Sequence, residues 1–114
     1  MIVFSLQIVT PDGRRTILMR ALAAMIGPTR VAPGCLDARL YSDPLNRCKA
    51  LLLVEEWDSR EQFERNLDTA KLNTIVAAIE LSSEAPVVRL DSVEREEGVD
   101  TLALHRSATG AVRH

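Results

Sequence analysis

Polar and apolar residues alternate from the first positions of the chain. Ile2, Phe4, Leu6 and Ile8 fall on one parity, while Ser5 and Gln7 fall on the other among Val3 and Val9. That period of two predicts a strand with one wholly apolar face. Thr10-Pro11-Asp12 then supplies a cap, a first-turn proline and an acid for the positive end of a helix. Ile17, Leu18, Ala21, Leu22 and Met25 form a stripe at helical spacing, and Gly27-Pro28 is expected to stop it. "CLDARLY" and "KALLLVEEW" alternate again around the turn-forming "SDPLNR", so they are expected to pair as an antiparallel hairpin.

Ser59-x-x-Gln62 has the form of a capping box. Phe63 and Leu67 lie one turn apart, the apolar period slips near Asp68–Lys71, and it resumes at Leu72, Ile75, Val76 and Ile79. This predicts a helix broken in two pieces, with Thr69 as the second cap. "PVVRLDSV" is a fourth strand. The order β-α-β-β-α-β predicts an α+β, ferredoxin-like fold: a four-stranded antiparallel sheet with its helices on one face. Residues 1–93 form the domain. Residues 94–114 form a charged tail, expected to be weakly helical around Val99–His105 and frayed after Gly110.

Alternation also assigns faces. Ile2/Phe4/Leu6/Ile8, Leu36/Ala38/Leu40, Ala50/Leu52/Val54 and Val88/Leu90 are expected beneath the helices. The opposite face carries Ser5, Gln7, Asp37, Arg39, Tyr41, Glu55, Trp57, Arg89 and Asp91 among Val3, Val9, Leu51, Leu53 and Val87. That face is too apolar for open water and too polar for a dry core. Packing it against its twin would enclose a pocket, so a homodimer is expected.

Length, charge and cysteines narrow the function. A chain of 114 residues with net charge −2 has room for one domain with a real core, and it carries no Lys/Arg-rich run to grip nucleic acid. No apolar run has the length of a membrane span. The apolar start lacks the basic region and cleavage site of a signal peptide, so a cytoplasmic location is expected. Cys35 and Cys48 form no CxxC, and both histidines, His105 and His114, lie in the tail, so no His/Cys metal site is expected. The hairpin places the two cysteines roughly 20 Å apart at ~3.3 Å per residue, beyond disulfide reach.

"PTRVAPGCLDARLYSDP", "LLLVEEWDSREQFERNL" and "PVVRLDSV" together resemble the antibiotic biosynthesis monooxygenase (ABM) domain, over about Met1 to Val93. Pro-Gly-Cys before the second strand, Glu-x-Trp closing the third and Ser at the next helix cap carry the likeness. The resemblance implies a dimeric α+β barrel. It implies oxygenation of small electron-rich aromatic or quinol-like substrates by molecular oxygen, with neither metal nor flavin as cofactor.

Trp57 stands at the place of a pocket-lining tryptophan and Arg89 at that of a pocket arginine. Leu53 stands where some members carry asparagine. Asn66 replaces a helix histidine, and the family's frequent Ser-Pro-His reads Thr69-Ala70-Lys71. The candidate catalytic residues are Asn66, Glu55 and Tyr41. The candidate substrate-binding residues are Trp57, Arg89, Gln7 and Leu53. An amide orients a substrate oxygen but takes no proton, Glu55 near Trp57 is a candidate base, and the Tyr41 phenol is a hydrogen-bond donor.

Five of the seven have a plainer reading: core packing for Trp57, an ion pair with Glu55 or Asp91 for Arg89, a solvated tip for Tyr41, a structural acid for Glu55 and an exposed helix position for Asn66. Two functions follow, a cofactor-independent monooxygenase or a dimeric small-molecule-binding module without turnover. Haem degradation would need an axial histidine near the pocket, and no histidine precedes His105.

Overall fold

A computed structural model describes residues 1–43, 45 and 47–94. The elements are β1 (Ile2–Val9), α1 (Arg15–Arg30), β2 (Cys35–Ser42), β3 (Ala50–Trp57), α2 (Arg60–Asn66), α3 (Thr69–Leu81) and β4 (Val87–Ser92). The strands form one antiparallel sheet in the order β2-β3-β1-β4. The fold is the α+β, ferredoxin-like arrangement, with its second helix in two pieces. The expectation for the tail lies outside the described residues from position 95 onward.

Register decides the faces. β1 pairs with β3 so that Phe4 opposes Glu55, Leu6 opposes Leu53 and Ile8 opposes Leu51. Directly opposed residues in an antiparallel pair share a face. Leu51, Leu53, Glu55 and Trp57 therefore lie with the apolar face of β1, and each is fully buried. This reverses the expected parity of β3. The run Leu51–Val54 is apolar on both parities, so alternation alone does not fix its inward side, and a shift of one residue exchanges every side chain. The larger residues Leu51, Leu53 and Trp57 fill the core, and Ala50, Leu52 and Val54 face outward, half-buried.

A bulge in β2 between Cys35 and Asp37 makes a second departure. Cys35 opposes Trp57 and Ala38 opposes Glu55, which leaves Leu36 as the extra residue, exposed rather than beneath the helices. β1 and β4 keep their expected parity.

Helix boundaries also differ from expectation. Thr10 does not cap α1. Its hydroxyl donates to the Lys49 carbonyl at 2.9 Å, tying the end of β1 to the start of β3. Gly13, at φ 81°, turns the chain before the helix begins at Arg15. At the other end, the helix runs through Pro28 to Arg30. Proline removes one backbone donor near a terminus, and the last turn is held from outside: Arg30 Nε donates to the Ala38 carbonyl at 2.9 Å.

Between α2 and α3, Leu67 has φ −78° and ψ 69° and the Asp68 amide donates to the Asn66 carbonyl at 2.8 Å. That is an inverse γ-turn. Asp68, not Thr69, caps α3 by accepting from the Lys71 amide at 2.8 Å. Ser59 caps α2 as expected, accepting from the Gln62 amide at 3.3 Å.

Candidate functional site

The β3 parity places a charged residue in the core. Glu55 is fully buried one pleat from Trp57, and Trp57 Nε1 donates to Glu55 Oε1 at 3.0 Å. A buried carboxylate requires a countercharge. It comes from α3: Lys71 Nζ lies 3.0 Å from Glu55 Oε1 and 2.9 Å from Oε2. The contact to Oε1 has hydrogen-bond geometry, whereas Oε2 is buried without an aligned donor.

Lys71 is itself only 8% exposed. An ammonium has three protons to place. Beyond Glu55, Nζ donates to Thr29 Oγ1 at 3.2 Å and to Asn66 Oδ1. Nζ also sits 5.5 Å from the centre of the Trp57 ring, within cation–π range. Two departures in the helices build this arrangement. The extension of α1 through Pro28 brings Thr29 in. The γ-turn sets Asn66 at the end of α2 and Lys71 in the first turn of α3. Phe63 packs edge-on against Trp57 at 6.2 Å between ring centres and fixes the indole from the α2 side.

Cys35 sits across from Trp57 at the rim of this cluster. Burial, then the nearby Glu55 charge, pushes its thiol up from the ordinary range. Cys35 and Cys48 are both free thiols, as the hairpin spacing implied.

A cavity of about 170 Å³ opens beside the cluster, lined by Ala32, Pro33, Gln62, Arg65 and Asn66. Asn66 belongs to both the cavity wall and the buried polar cluster. Two other concavities differ in character. One of about 310 Å³ between α1 and α3 is apolar, walled by Ile17, Leu18, Ala77 and Leu81 among others, and has no titratable side chain. One of about 240 Å³ is lined by Asp12, Arg15 and Lys49, but Lys49 is paired to Asp12 there.

The seven candidates separate into two groups. Glu55, Trp57, Leu53 and Asn66 lie on the helix side of the sheet. Tyr41, Gln7 and Arg89 lie on the open side and are exposed. Arg89 opposes Ser5, and its guanidinium makes a 3.4 Å contact with Asp91. Within one chain the sheet lies between Arg89 and Trp57, so the two cannot wall one pocket. The residue that sequence reasoning missed is Lys71. Its signal was present, a cation at the place of the family's second histidine, three residues after the break in apolar period at Asp68.

Residues 1–78 match the family model described as Antibiotic biosynthesis monooxygenase (ABM). The chain belongs to that family. Among solved structures, it resembles Rv0793 from Mycobacterium tuberculosis at 24% identity and TM-score 0.72, over 85% of this chain and 98% of that one. Protein SO0527 from Shewanella oneidensis is similar at 23% identity and TM-score 0.68, over 79% and 87% of the two chains. PA3566 from Pseudomonas aeruginosa is similar at 23% identity and TM-score 0.65, over 84% and 94%. These likenesses show the fold. A comparison with curated protein sequences finds no match.

Proposed function

We propose that the protein is a cofactor-independent monooxygenase that acts with molecular oxygen on a small aromatic or quinol-like substrate. The substrate enters by the cavity at Asn66. The observation that carries this reading is the buried Glu55–Lys71 pair, joined to the cavity wall through Asn66. Family membership supplies the reaction class. The substrate loses a proton from an acidic phenol or activated C–H, and its anion passes one electron to oxygen. The two radicals then combine to a hydroperoxide, whose O–O bond breaks as the same carbon loses its second proton, leaving a carbonyl and releasing the other oxygen as water. No external reductant is required, because the substrate supplies all four electrons that take O2 to one carbonyl oxygen and one water, and its two hydrogens leave in that water.

In this reading Asn66 stabilises the developing oxyanion and Lys71 holds the positive charge behind it. Once the sealed cluster behind Asn66 opens to the cavity, Glu55 is the proton acceptor, and Trp57 and Leu53 are the apolar floor that keeps water out. Tyr41, Gln7 and Arg89 belong instead to the open sheet face, where a second copy of the chain packs. A homodimer covers the half-buried Val3, Leu52 and Val54 of that face.

A second reading is favoured by one observation. Glu55 and Trp57 are fully buried and do not line the cavity. A protein in which they stay sealed binds its ligand without turnover. Oxygen consumption with a panel of hydroquinones and polycyclic phenols decides between the two. Uptake that falls about tenfold to a hundredfold in Asn66→Leu supports the oxygenase, that being the worth of a hydrogen bond to a charged group. Saturable binding with no uptake establishes the binding module.

A further inference from the structure

We propose that Lys71 is a positioning residue that fixes the Asn66 carboxamide in one orientation, so that the cavity selects ligands bearing an acceptor oxygen over apolar molecules of the same shape. This rests on the cavity at Asn66 being the binding site, and not on any turnover there.

An ammonium has donors and no acceptor, so only the oxygen of a carboxamide can face it. Lys71 Nζ donates to Asn66 Oδ1. An Asn side chain without that neighbour can rotate by a half-turn at little cost and offer either end to a ligand. Here one end is committed, and the NH2 group at the other end is left for the cavity that Asn66 lines.

Lys71 cannot easily swing away and release the oxygen. Glu55 at 3.0 Å, Thr29 at 3.2 Å and the Trp57 ring at 5.5 Å hold it from three other sides. The rest of the cavity wall agrees with this polarity. Ala32 and Pro33 offer an apolar surface for a ring, and Arg65, paired to Glu61, adds a cation at the rim. A cavity of about 170 Å³ is below the size that encloses a drug-sized ligand, so the molecule it takes is small. The class is a compact ring system with a carbonyl or deprotonated phenol oxygen directed at Asn66 Nδ2.

The test is calorimetric binding of two isosteric probes, 1-tetralone and 1-methyltetralin, to the full-length protein. Wild type is expected to prefer the ketone by about tenfold, the worth of one net hydrogen bond. Asn66→Asp keeps an acceptor for Lys71 but has no donor for the ligand, so the preference is expected to vanish or invert. Lys71→Met combined with Glu55→Gln removes both buried charges together, and there the preference is expected to fall to within about threefold while the apolar probe binds as before.

A wild-type preference near one overturns the proposal, as does a tenfold preference that survives in Asn66→Asp or in the double variant. Failure of wild type to bind either probe overturns it as well. Should the double variant not fold, the side-chain NH2 resonances of Asn66 in the wild-type protein decide. They are expected to shift on adding 1-tetralone and not on adding 1-methyltetralin, and equal shifts or none with both overturn the proposal. Oxygen uptake is not read in any arm, so a failed oxygenase reading leaves this result intact.

Discussion

Lys71 and Glu55 meet in the core with Nζ 2.9 Å from Oε2, one residue 8% exposed and the other fully buried. They arrive from different elements, α3 and β3, and they oblige those elements to dock in one relative position. A buried ion pair contributes little net stability compared with a well-packed apolar pair, but the loss of one member leaves an uncompensated charge.

Lys71→Met is therefore expected to destabilise the fold by about 3–5 kcal/mol, and the double variant Lys71→Met/Glu55→Gln to regain most of that loss. Urea denaturation of the four proteins in the cycle measures it. Additive losses in the double variant would mean that the two side chains do not act as a pair.

The open sheet face predicts association. Leu52 and Val54 are half-buried and neighbour Tyr41 and Arg39 across the β2–β3 ladder. Light scattering of the wild type at micromolar concentration is expected to give twice 12.6 kDa. Val54→Glu would place a charge opposite itself or its neighbours in a two-fold contact, and is expected to yield monomer with unchanged far-ultraviolet circular dichroism. Wild-type protein at the monomer mass would show that the open face is not a two-fold interface.

The two thiols should react at different rates. Cys48 is exposed, whereas Cys35 is partly covered and burial and the Glu55 charge push its thiol up. A raised thiol holds less thiolate at any given pH below its titration. Alkylation near pH 8 is expected to modify Cys48 first. Glu55→Gln should speed the reaction of Cys35 more than that of Cys48. Equal acceleration at both sites would point to general loosening instead of lost charge.

Asp43 organises the β2–β3 connection. Its carboxylate accepts from the backbone amides of Leu45, Arg47 and Cys48 at 2.9, 3.1 and 3.2 Å. The Leu45 amide, together with the Arg47 side chain and the other two amides, holds its titration below the ordinary carboxylate range. A carboxyl depressed in the folded state contributes stability that is fully present above its unfolded value, about 3.9. That contribution is lost as pH falls through the folded value. Asp43→Ala should thus lower the melting temperature at pH 7, and the difference from wild type should shrink below about pH 4. A constant difference down to pH 2 would assign the effect to something other than the charge.

Much of the fold was legible in the chain. The strict alternation of β1 has only one inward parity, and the slip of apolar period at Asp68 marked the break between α2 and α3. Pro28 misled because a proline's missing donor matters least near a helix end, where external partners such as the Ala38 carbonyl can anchor the final turn. The family was visible in three quoted segments, since its fold depends on local features of strand ends and caps.

The orientation of β3 was decided by tertiary structure alone. "LLLV" satisfies a core from either side, and a pattern rule counts Glu55 as polar and turns it outward. What turns it inward is Lys71, sixteen positions further along, with Thr29 and Trp57 completing its shell. The sequence determined that the strand is buried, because apolar area is a property of its own residues. Which side of it meets the helices depends on a charge balance between residues on separate elements. That balance exists only once β3, α1 and α3 have packed.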